Sequence, residues 1–248
     1  MRPARLAGIL GPGFSEDALA LFARMSTPPS DARKLAINTL ISALKTAGVW
    51  ANLDVLQVYA AADSQAGLLN WLSSSYGASV VNAPTFEADR GYKTNGTTNY
   101  INTGWNPAAG TNFQQDASSF GWWSGYSPAS GASLNGSWGP GPTPRSGCSI
   151  SMAGNGYLTV SHGISHNQNY ATSQWNTPST SGHGMHGLQS STRTGASAQQ
   201  NYGQGILQSS TTSYASVARN SRSLYLGALN NDGSASSHSV WQFGAFFA

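Results

Sequence analysis

Charged side chains are scarce in this chain. They make up 8% of its 248 residues, against about a quarter in ordinary soluble domains. Residues 1–116 hold eight Lys or Arg and eight Asp or Glu, whereas residues 117–248 hold four Arg and one acid, Asp232. The polar surface must therefore come from Ser, Thr, Asn, Gln and Gly. Such a surface suits an extracellular or particle-bound β protein better than a cytosolic enzyme, which relies on net charge to stay soluble.

Runs of Lys and Arg are also absent from the sequence. The pI of 9.1 therefore reflects the shortage of acids rather than a basic patch, and we expect no nucleic-acid partner. No apolar run approaches the roughly 20 residues of a membrane span, so we expect no membrane insertion. The apolar run near the N-terminus is shorter than the roughly 7–15 residues of a signal-peptide core, which predicts no signal peptide.

The sequence contains a single cysteine, Cys148. An intrachain disulfide is therefore impossible, and the fold must be held by packing or by contacts with other chains. We expect Cys148 to be buried in the core rather than to act as a nucleophile, because free cysteine is among the most buried residue types.

The first part of the chain, residues 1–77, predicts a small helical region. Ser15 can cap a short helix, Ser30-Asp31 begins a longer one that Gly48 ends, and Asp63 begins a third. The apolar residues of the longer helix lie around more than one face, as in a helix buried between two surfaces. It can pack against the following domain or, alternatively, dock onto another subunit. We assign residues 1–77 as an N-terminal helical attachment region.

From residue 78 onward, short runs alternate apolar and polar residues between clusters of Gly, Asn, Ser and Pro. Asn95-Gly96 predicts a type I′ hairpin that joins Tyr92-Lys93 to Asn99-Tyr100-Ile101. No crossover helices for a parallel sheet are visible here. Together these features predict a mainly β protein with an antiparallel β-sandwich over residues 78–248. Further strand candidates are "SSFGWWSGY", "ASLNGSW", "CSISMAG", "GYLTVSHG", "GMHGLQSSTR", "AQQNYGQGILQSS", "SLYLGALN" and "HSVWQFGAFF".

Several of these stretches resemble a known fold. "GYKTNGTTNYINTGWNP", "GWWSGY", "SLNGSWG", "STRTGASAQQNYGQG" and "SLYLGALN" are similar to the concanavalin A-like, laminin-G-like jelly roll. "ARKLAINTLISALKTAGVWANLDVLQVYAAADSQAGLLNW" joined to "PTFEADRGYKTNGTTNYINTGWNP" resembles a group of bacteriophage virion proteins of the tail and tail-fibre type. In that group a helical N-terminal part precedes the jelly roll. The resemblance spans about residues 31–248.

The resemblance implies a location in the virion, with other virion proteins and other copies of this chain as partners. Members of the fold often continue past a strand like "HSVWQFGAFF" into a short helix, whereas this chain ends at Ala248. Another chain would then complete the closing strand, or this end would lie in an interface.

Many relatives of this fold hydrolyse polysaccharides with two carboxylates about 5–5.5 Å apart. The only candidate pair here is Glu87 and Asp89, which share a face if they lie on one strand. We expect Arg90 to keep Asp89 ionised, which favours a turn or ion-pair role over catalysis. A polysaccharide-degrading glycoside hydrolase remains an alternative, and we predict no catalytic residue.

Four histidines raise the possibility of a metal site, but their pattern does not favour one. No Glu stands between them as in a zinc-protease helix, and glycine interrupts both pairs. Carboxylates are too few after residue 117 for calcium. We therefore expect neither a metal nor a cofactor. The histidines are His162, His166, His183 and His186.

Aromatic residues are the remaining candidates for binding. Trp122, Trp123, Tyr126 and Trp138 are close together in the chain. Because neighbours on a strand point to opposite faces, one of Trp122 and Trp123 belongs to the core and the other can reach the surface. An exposed indole can stack on a sugar ring while nearby amides bond its hydroxyls. We predict a carbohydrate site at these four residues, with core packing as the competing interpretation for each.

These observations predict a structural phage virion protein, a tail, fibre or surface-decoration component that forms a homo-oligomer and binds a host surface polysaccharide. A purely architectural particle protein without a ligand is the first alternative, and the hydrolase is the second. Flat apolar surfaces would favour architecture, whereas a cleft with two carboxylates about 5–10 Å apart would favour hydrolysis.

Overall fold

The computed structural model describes most of the chain, and it is mainly β with antiparallel sheets and few helices. This confirms the predicted fold class at that level. No helix of the described part is long and apolar enough to cross a membrane. The described residues are 13–126, 133–138, 146–154, 160–169, 186–213 and 215–248.

The predicted helices are present and begin at the predicted caps. They are α1 (Glu16–Phe22), α2 (Asp31–Thr46) and α3 (Ser64–Gly67). The side chains of Ser15, Ser30 and Asp63 each accept a backbone N–H of the helix they cap. Short 3₁₀ helices cover Trp50–Asn52 and Pro107–Ala109.

Helix α2 packs on one side and is open on others. Ile37 and Ile41 are buried in a cluster with Leu21, Trp50 and other apolar side chains. Leu35 and Leu40 remain 53% and 43% exposed. Packing within the chain thus explains the face with the isoleucines, and docking onto another subunit stays a prediction for the exposed leucines.

Sixteen strands follow in chain order within the described residues. Only β6, β8 and β9 reach nine residues, and several are two or three residues long. The strands are β1 (Leu56–Val58), β2 (Ser79–Val81), β3 (Thr85–Glu87), β4 (Gly91–Lys93), β5 (Tyr100–Asn102), β6 (Ser118–Tyr126), β7 (Ser133–Trp138), β8 (Ser146–Gly154), β9 (Val160–Asn169), β10 (Gly187–Arg193), β11 (Gln199–Gly203), β12 (Ile206–Thr211), β13 (Tyr225–Leu226), β14 (Leu229–Asn231), β15 (Ser234–Ser236) and β16 (Gln242–Phe247).

The strands form two sheets of eight. Sheet A has the order β12-β11-β10-β6-β16-β4-β3, with β1 also paired to β16, and sheet B has the order β15-β14-β7-β13-β5-β2, with β8 and β9 beyond β7. The pairing of β7 with β14 is parallel. Strand β16 has β6 on one side and β4 and β1 on the other. The last strand is therefore paired on both sides within the chain, and β1 ties residues 56–58 into sheet A.

The predicted hairpin at Asn95-Gly96 is wrong. Strand β4 pairs with β3 and β16 in sheet A, whereas β5 pairs with β2 and β13 in sheet B. The chain turns a corner here because Thr94 is bound to the segment just before β16: its N–H donates to the Trp241 carbonyl and its hydroxyl to the Ser239 carbonyl. The Asn95 carboxamide oxygen accepts three successive backbone N–H groups and closes the loop.

One hydrophobic cluster contains side chains from both sheets. Sheet A contributes Phe120, Trp122 and Phe246, and sheet B contributes Ile101 and Leu226. Cys148 of β8 is buried in the same cluster, as predicted. The two sheets therefore share a core.

Candidate functional site

Strand β6 places the two adjacent tryptophans on opposite faces of sheet A. Phe120, Trp122 and Ser124 point inward and are fully buried, whereas Trp123 is 43% exposed. The Trp122 ring packs edge-on against Phe243 of β16, with 6.2 Å between ring centroids. The prediction that Trp122 binds carbohydrate is therefore wrong, because its indole has no exposed surface to offer.

The other two predicted aromatics end strands in different sheets. Tyr126 ends β6 opposite Gln242 of sheet A, whereas Trp138 ends β7 opposite Asn231 of sheet B. Their side chains lie outside the described part of the structure, so carbohydrate binding by them stays a prediction. The four residues that are neighbours in sequence are thus divided between two sheets.

The Trp123 ring packs against two glycines, Gly244 and Gly125. A Cβ atom at Gly244 of the neighbouring strand β16 would lie 2.8 Å from Cζ3 of Trp123, and closer still to Cε3. The indole therefore lies directly against the backbone of Gly244, which only a residue without a side chain permits. At exposed Gly125 a Cβ would lie 3.4 Å from Cη2 and Cζ3. One part of the ring is therefore packed on glycine backbone, and the rest is exposed on the outer face.

A row of large side chains continues from Trp123 across the outer face of sheet A. Leu188 of β10 is directly opposite Trp123, and Leu207 of β12 is directly opposite Tyr202 of β11. Trp123, Leu188 and Leu207 are 43%, 38% and 49% exposed, and Tyr202 is half-buried. We call Trp123, Leu188, Tyr202 and Leu207 the aromatic strip. Sequence reasoning missed its last three members, although the alternation in "GLQSSTR" and "QQNYG" carries the signal for Leu188 and Tyr202.

Each ring of the aromatic strip has a carboxamide beside it. The hydroxyl of Tyr202 donates to Oε1 of Gln200 at 2.8 Å. Nε2 of Gln242 donates to Oε2 of Glu87 at 3.1 Å, and its Oε1 would lie 3.4 Å from the same Gly125 Cβ position that the Trp123 ring approaches. Gln242 is only 7% exposed, so the amide that is open to a ligand is that of half-buried Gln200, whose amino group can donate.

Charge is absent from this part of the outer face. The outward positions of β6, β10 and β11, opposite to the buried ones, carry no Lys, Arg, Asp or Glu. Thr192 and Ser119 pair across the strands, 3.1 Å apart. These positions are Ser119, Gly121, Trp123, Gly125, Leu188, Ser190, Thr192, Gln200 and Tyr202.

Glu87 and Asp89 each have an arginine of their own. Nε of Arg90 lies 3.0 Å from Glu87, and a guanidinium nitrogen of Arg33 on α2 lies 2.7 Å from Asp89. The hydrogen bond from Arg33 lowers the pKa of Asp89. The expectation that Arg90 keeps Asp89 ionised is therefore wrong, since the partner comes from the helical region. Both carboxylates are bound in ion pairs at the β3–β4 turn.

Two clefts of the described residues contain no pair of carboxylates. One, of about 390 Å³, lies between α2, the segment before it and the loop after β1, and Asp63 is its single acid. That carboxylate already accepts the Ala66 N–H as the cap of α3. The second, of about 810 Å³, lies between residues 47–53 and β10 and has Arg193 as its one charged lining residue.

The positions of the four histidines do not test the expectation that the chain binds no metal. His186 is exposed before β10, and His162 and His166 are on β9, where only the backbone is described. His183 lies outside the described residues. Among the described residues no group of three His, Cys, Asp or Glu side chains could hold a metal ion.

Comparison with the known protein families, with characterised proteins and with solved structures finds no match for this chain.

Proposed function

We propose that this chain is a structural component of a bacteriophage particle, in a tail, a fibre or a surface decoration, and that it binds host surface polysaccharide through the aromatic strip. The virion assignment rests on the sequence resemblance. The observation that carries the binding function is Trp123, an indole 43% exposed and held against Gly244.

The geometry at Trp123 suits a sugar ring. The C–H face of a pyranose is apolar and can cover an exposed indole, while its hydroxyls need hydrogen-bonding partners at the rim of the contact. The Gln242 carboxamide near the indole is 7% exposed and bonded to Glu87, so these partners must come from the neutral polar side chains of β6, β10 and β11. Because the ring already packs against Gly244, less side-chain entropy is lost on binding than for a side chain without such a contact.

We propose further that the sheets form a concanavalin A-like jelly-roll sandwich and that residues 1–77 attach it to the particle. Side chains of both sheets in one core support the sandwich. The exposed leucines of α2 support attachment to other copies or other virion proteins. An assembly with many copies would turn weak contacts with a polymer into firm adhesion.

The test of adhesion is binding of the purified protein to bacterial surface polysaccharide fractions, measured by affinity electrophoresis. We expect Trp123→Ala to weaken binding by roughly tenfold, about 1.4 kcal/mol, with an unchanged unfolding midpoint. Tyr100→Ala is the matched control, because Tyr100 is a half-exposed aromatic of sheet B, stacked on Tyr225. Binding that survives Trp123→Ala at full strength would refute the role of the strip.

A purely architectural role remains the second candidate, favoured by Leu19, Leu35 and Leu40 on the helices, which are 43% to 53% exposed. The two functions differ in where the aromatic strip lies in the particle. An image of the intact particle with this chain located decides between them: adhesion requires the strip on the outside, and architecture predicts it buried against a neighbour.

A further inference from the structure

We infer that the aromatic strip binds a neutral polysaccharide chain that crosses strands β6, β10 and β11 and contacts two separate ring positions, Trp123 and Tyr202. This inference rests on the proposed function and adds to it the charge of the ligand, its path and the minimum length that it needs.

The first step is that two aromatic rings lie on one outer face. Trp123 is 43% exposed, and Tyr202 is half-buried beside the Gln200 carboxamide, which the Tyr202 hydroxyl orients. The Gln242 carboxamide near Trp123 is 7% exposed and bonded to Glu87, so it is not open to a ligand. Each ring can cover the apolar face of a sugar, and the Gln200 amide can bond a sugar hydroxyl at the Tyr202 position.

The second step is the distance between the two positions. Trp123 is on β6 and Tyr202 on β11, two strands away, since β10 lies between them. Tyr202 aligns with Ser190 and hence with Gly121, two residues along β6 from Trp123. Strand spacings of about 4.8 Å and a rise of about 3.4 Å per residue place the two Cα atoms about 12 Å apart. One sugar ring cannot cover both positions, whereas consecutive rings of a chain can.

The third step is the surface between and around the rings. Leu188 and Ser190 of β10 separate the two positions, and no outward residue of β6, β10 or β11 is charged. A uronate or sulfated chain would lose water from its anions over these three strands without gaining a cation, which is costly. The exposed cation Lys93 of β4 is opposite Gln242, on the side of β16 away from β6. A chain with cationic amino sugars would likewise find no carboxylate. The nearest acid beyond β16, Glu87, is already paired with Arg90. The face therefore complements an uncharged chain.

The experiment titrates the full-length protein with neutral hexose oligosaccharides (glucan, mannan and galactan) of two and of about eight residues. Polyuronate and chitosan serve as the anionic and cationic probes. Trp123→Ala, Tyr202→Ala and the double variant are compared with Tyr100→Ala. Calorimetry measures the affinity of each protein variant for each saccharide. Thermal unfolding of every variant shows whether it is folded.

We expect a neutral octamer to bind at least tenfold more tightly than the dimer of the same sugar. Each single substitution should weaken octamer binding by roughly tenfold and should remove the advantage of length. Affinity should change less than twofold from about 0.01 M to about 1 M salt, because no ion pair is formed. Tyr202→Phe should retain the stacking on the sugar. It should lose part of the affinity, because the Gln200 carboxamide is no longer oriented by the Tyr202 hydroxyl.

Three results would overturn this inference. Preference for polyuronate or chitosan with strong salt dependence would refute the neutral ligand, and equal affinity for dimer and octamer would refute the two-position path. In both cases polysaccharide binding itself, and so the proposed function, would stand. Absence of binding to every neutral and charged probe would instead overturn the proposed function together with this inference.

Discussion

At the scale of single residues, the chain neighbours Trp122 and Trp123 differ in burial: the first is in the core and the second is on the outer face. The alternation of side chains along a strand predicts that Trp122 and Trp123 separate, but it does not say which one is buried. That choice depends on β16, where Phe243 packs on Trp122 in the core and Gly244 leaves room for Trp123 on the outer face. Residues about 120 positions away in the sequence therefore decide which indole can act, and local pattern alone contains no such information.

Asp89 gives a residue-scale prediction about pH. Its partner Arg33 lowers its pKa below the ordinary value, so the ion pair stabilises the folded state at pH values above the unfolded pKa of about 3.9. This contribution is lost as the pH falls through the lower, folded pKa. We expect Asp89→Asn to lower the urea midpoint slightly at neutral pH, where exposed pairs contribute little, and to have no effect at strongly acidic pH.

The control for this prediction is the same substitution in an Arg33→Gln background. There the carboxylate has lost its partner, so Asp89→Asn should leave the urea midpoint unchanged at every pH. A difference that persists at strongly acidic pH, or that survives in the Arg33→Gln background, would contradict the ion-pair explanation.

At the scale of elements, the sequence predicted strands better than their partners. Strand β6 matches its predicted range in full, and the cap residues locate the helices. The turns were harder to predict, since Asn95-Gly96 connects a strand of sheet A to a strand of sheet B and does not close a hairpin. Two-residue hairpins occur instead at Gln204-Gly205, between β11 and β12, and at Asp232-Gly233, between β14 and β15, where all four φ angles are positive. Turn preference is local, whereas pairing depends on Thr94 reaching the distant Trp241.

The two glycines, Gly96 and Gly205, give a matched prediction. Both have φ of +77°, so alanine at either position incurs a backbone cost of about 1–2 kcal/mol. A Cβ at Gly96 would also lie 2.8 Å from Cγ2 of Val240, whereas nothing lies within 4 Å of one at Gly205. We expect Gly96→Ala to lower the free energy of unfolding by about 1 kcal/mol more than Gly205→Ala, because Val240 must move. Urea denaturation measures both, and equal losses would contradict the corner geometry.

At the scale of the whole molecule, charge and function divide along the chain. The first 116 residues hold eight of the nine acids, and several form ion pairs on or near the helices. The second part supplies most of the strands of both sheets and all of the aromatic strip. The scarcity of charged residues of either sign in this second part is therefore also the reason that the strip is neutral. Composition predicted this property of the site, whereas its location required the register of β6, β10 and β11.

At the same scale, contacts between the helical region and the sheets decide whether the two unfold independently. The sequence predicted a boundary after residue 77, yet β1 pairs with β16 in sheet A, and Phe247 of β16 packs against the cluster that buries Ile41 of α2. Residues 1–77 thus share hydrogen bonds with the central strand of sheet A through β1, and apolar contacts through the helices. Since cooperative unfolding requires such shared contacts, we expect one transition for the whole chain.

Ile41→Ala tests this coupling. Ile41 is fully buried, so its truncation should lower the free energy of unfolding by about 2–5 kcal/mol. Leu35→Ala on the same helix is the control, because Leu35 is 53% exposed and its loss should cost less than about 0.5 kcal/mol. In urea, the far-UV signal and the tryptophan fluorescence of Ile41→Ala should shift together, because the sheets lose the contacts of Phe247 when the helices unfold. An early transition of the helices, followed by unfolding of the sheets at the wild-type midpoint, would show instead that the two regions fold independently.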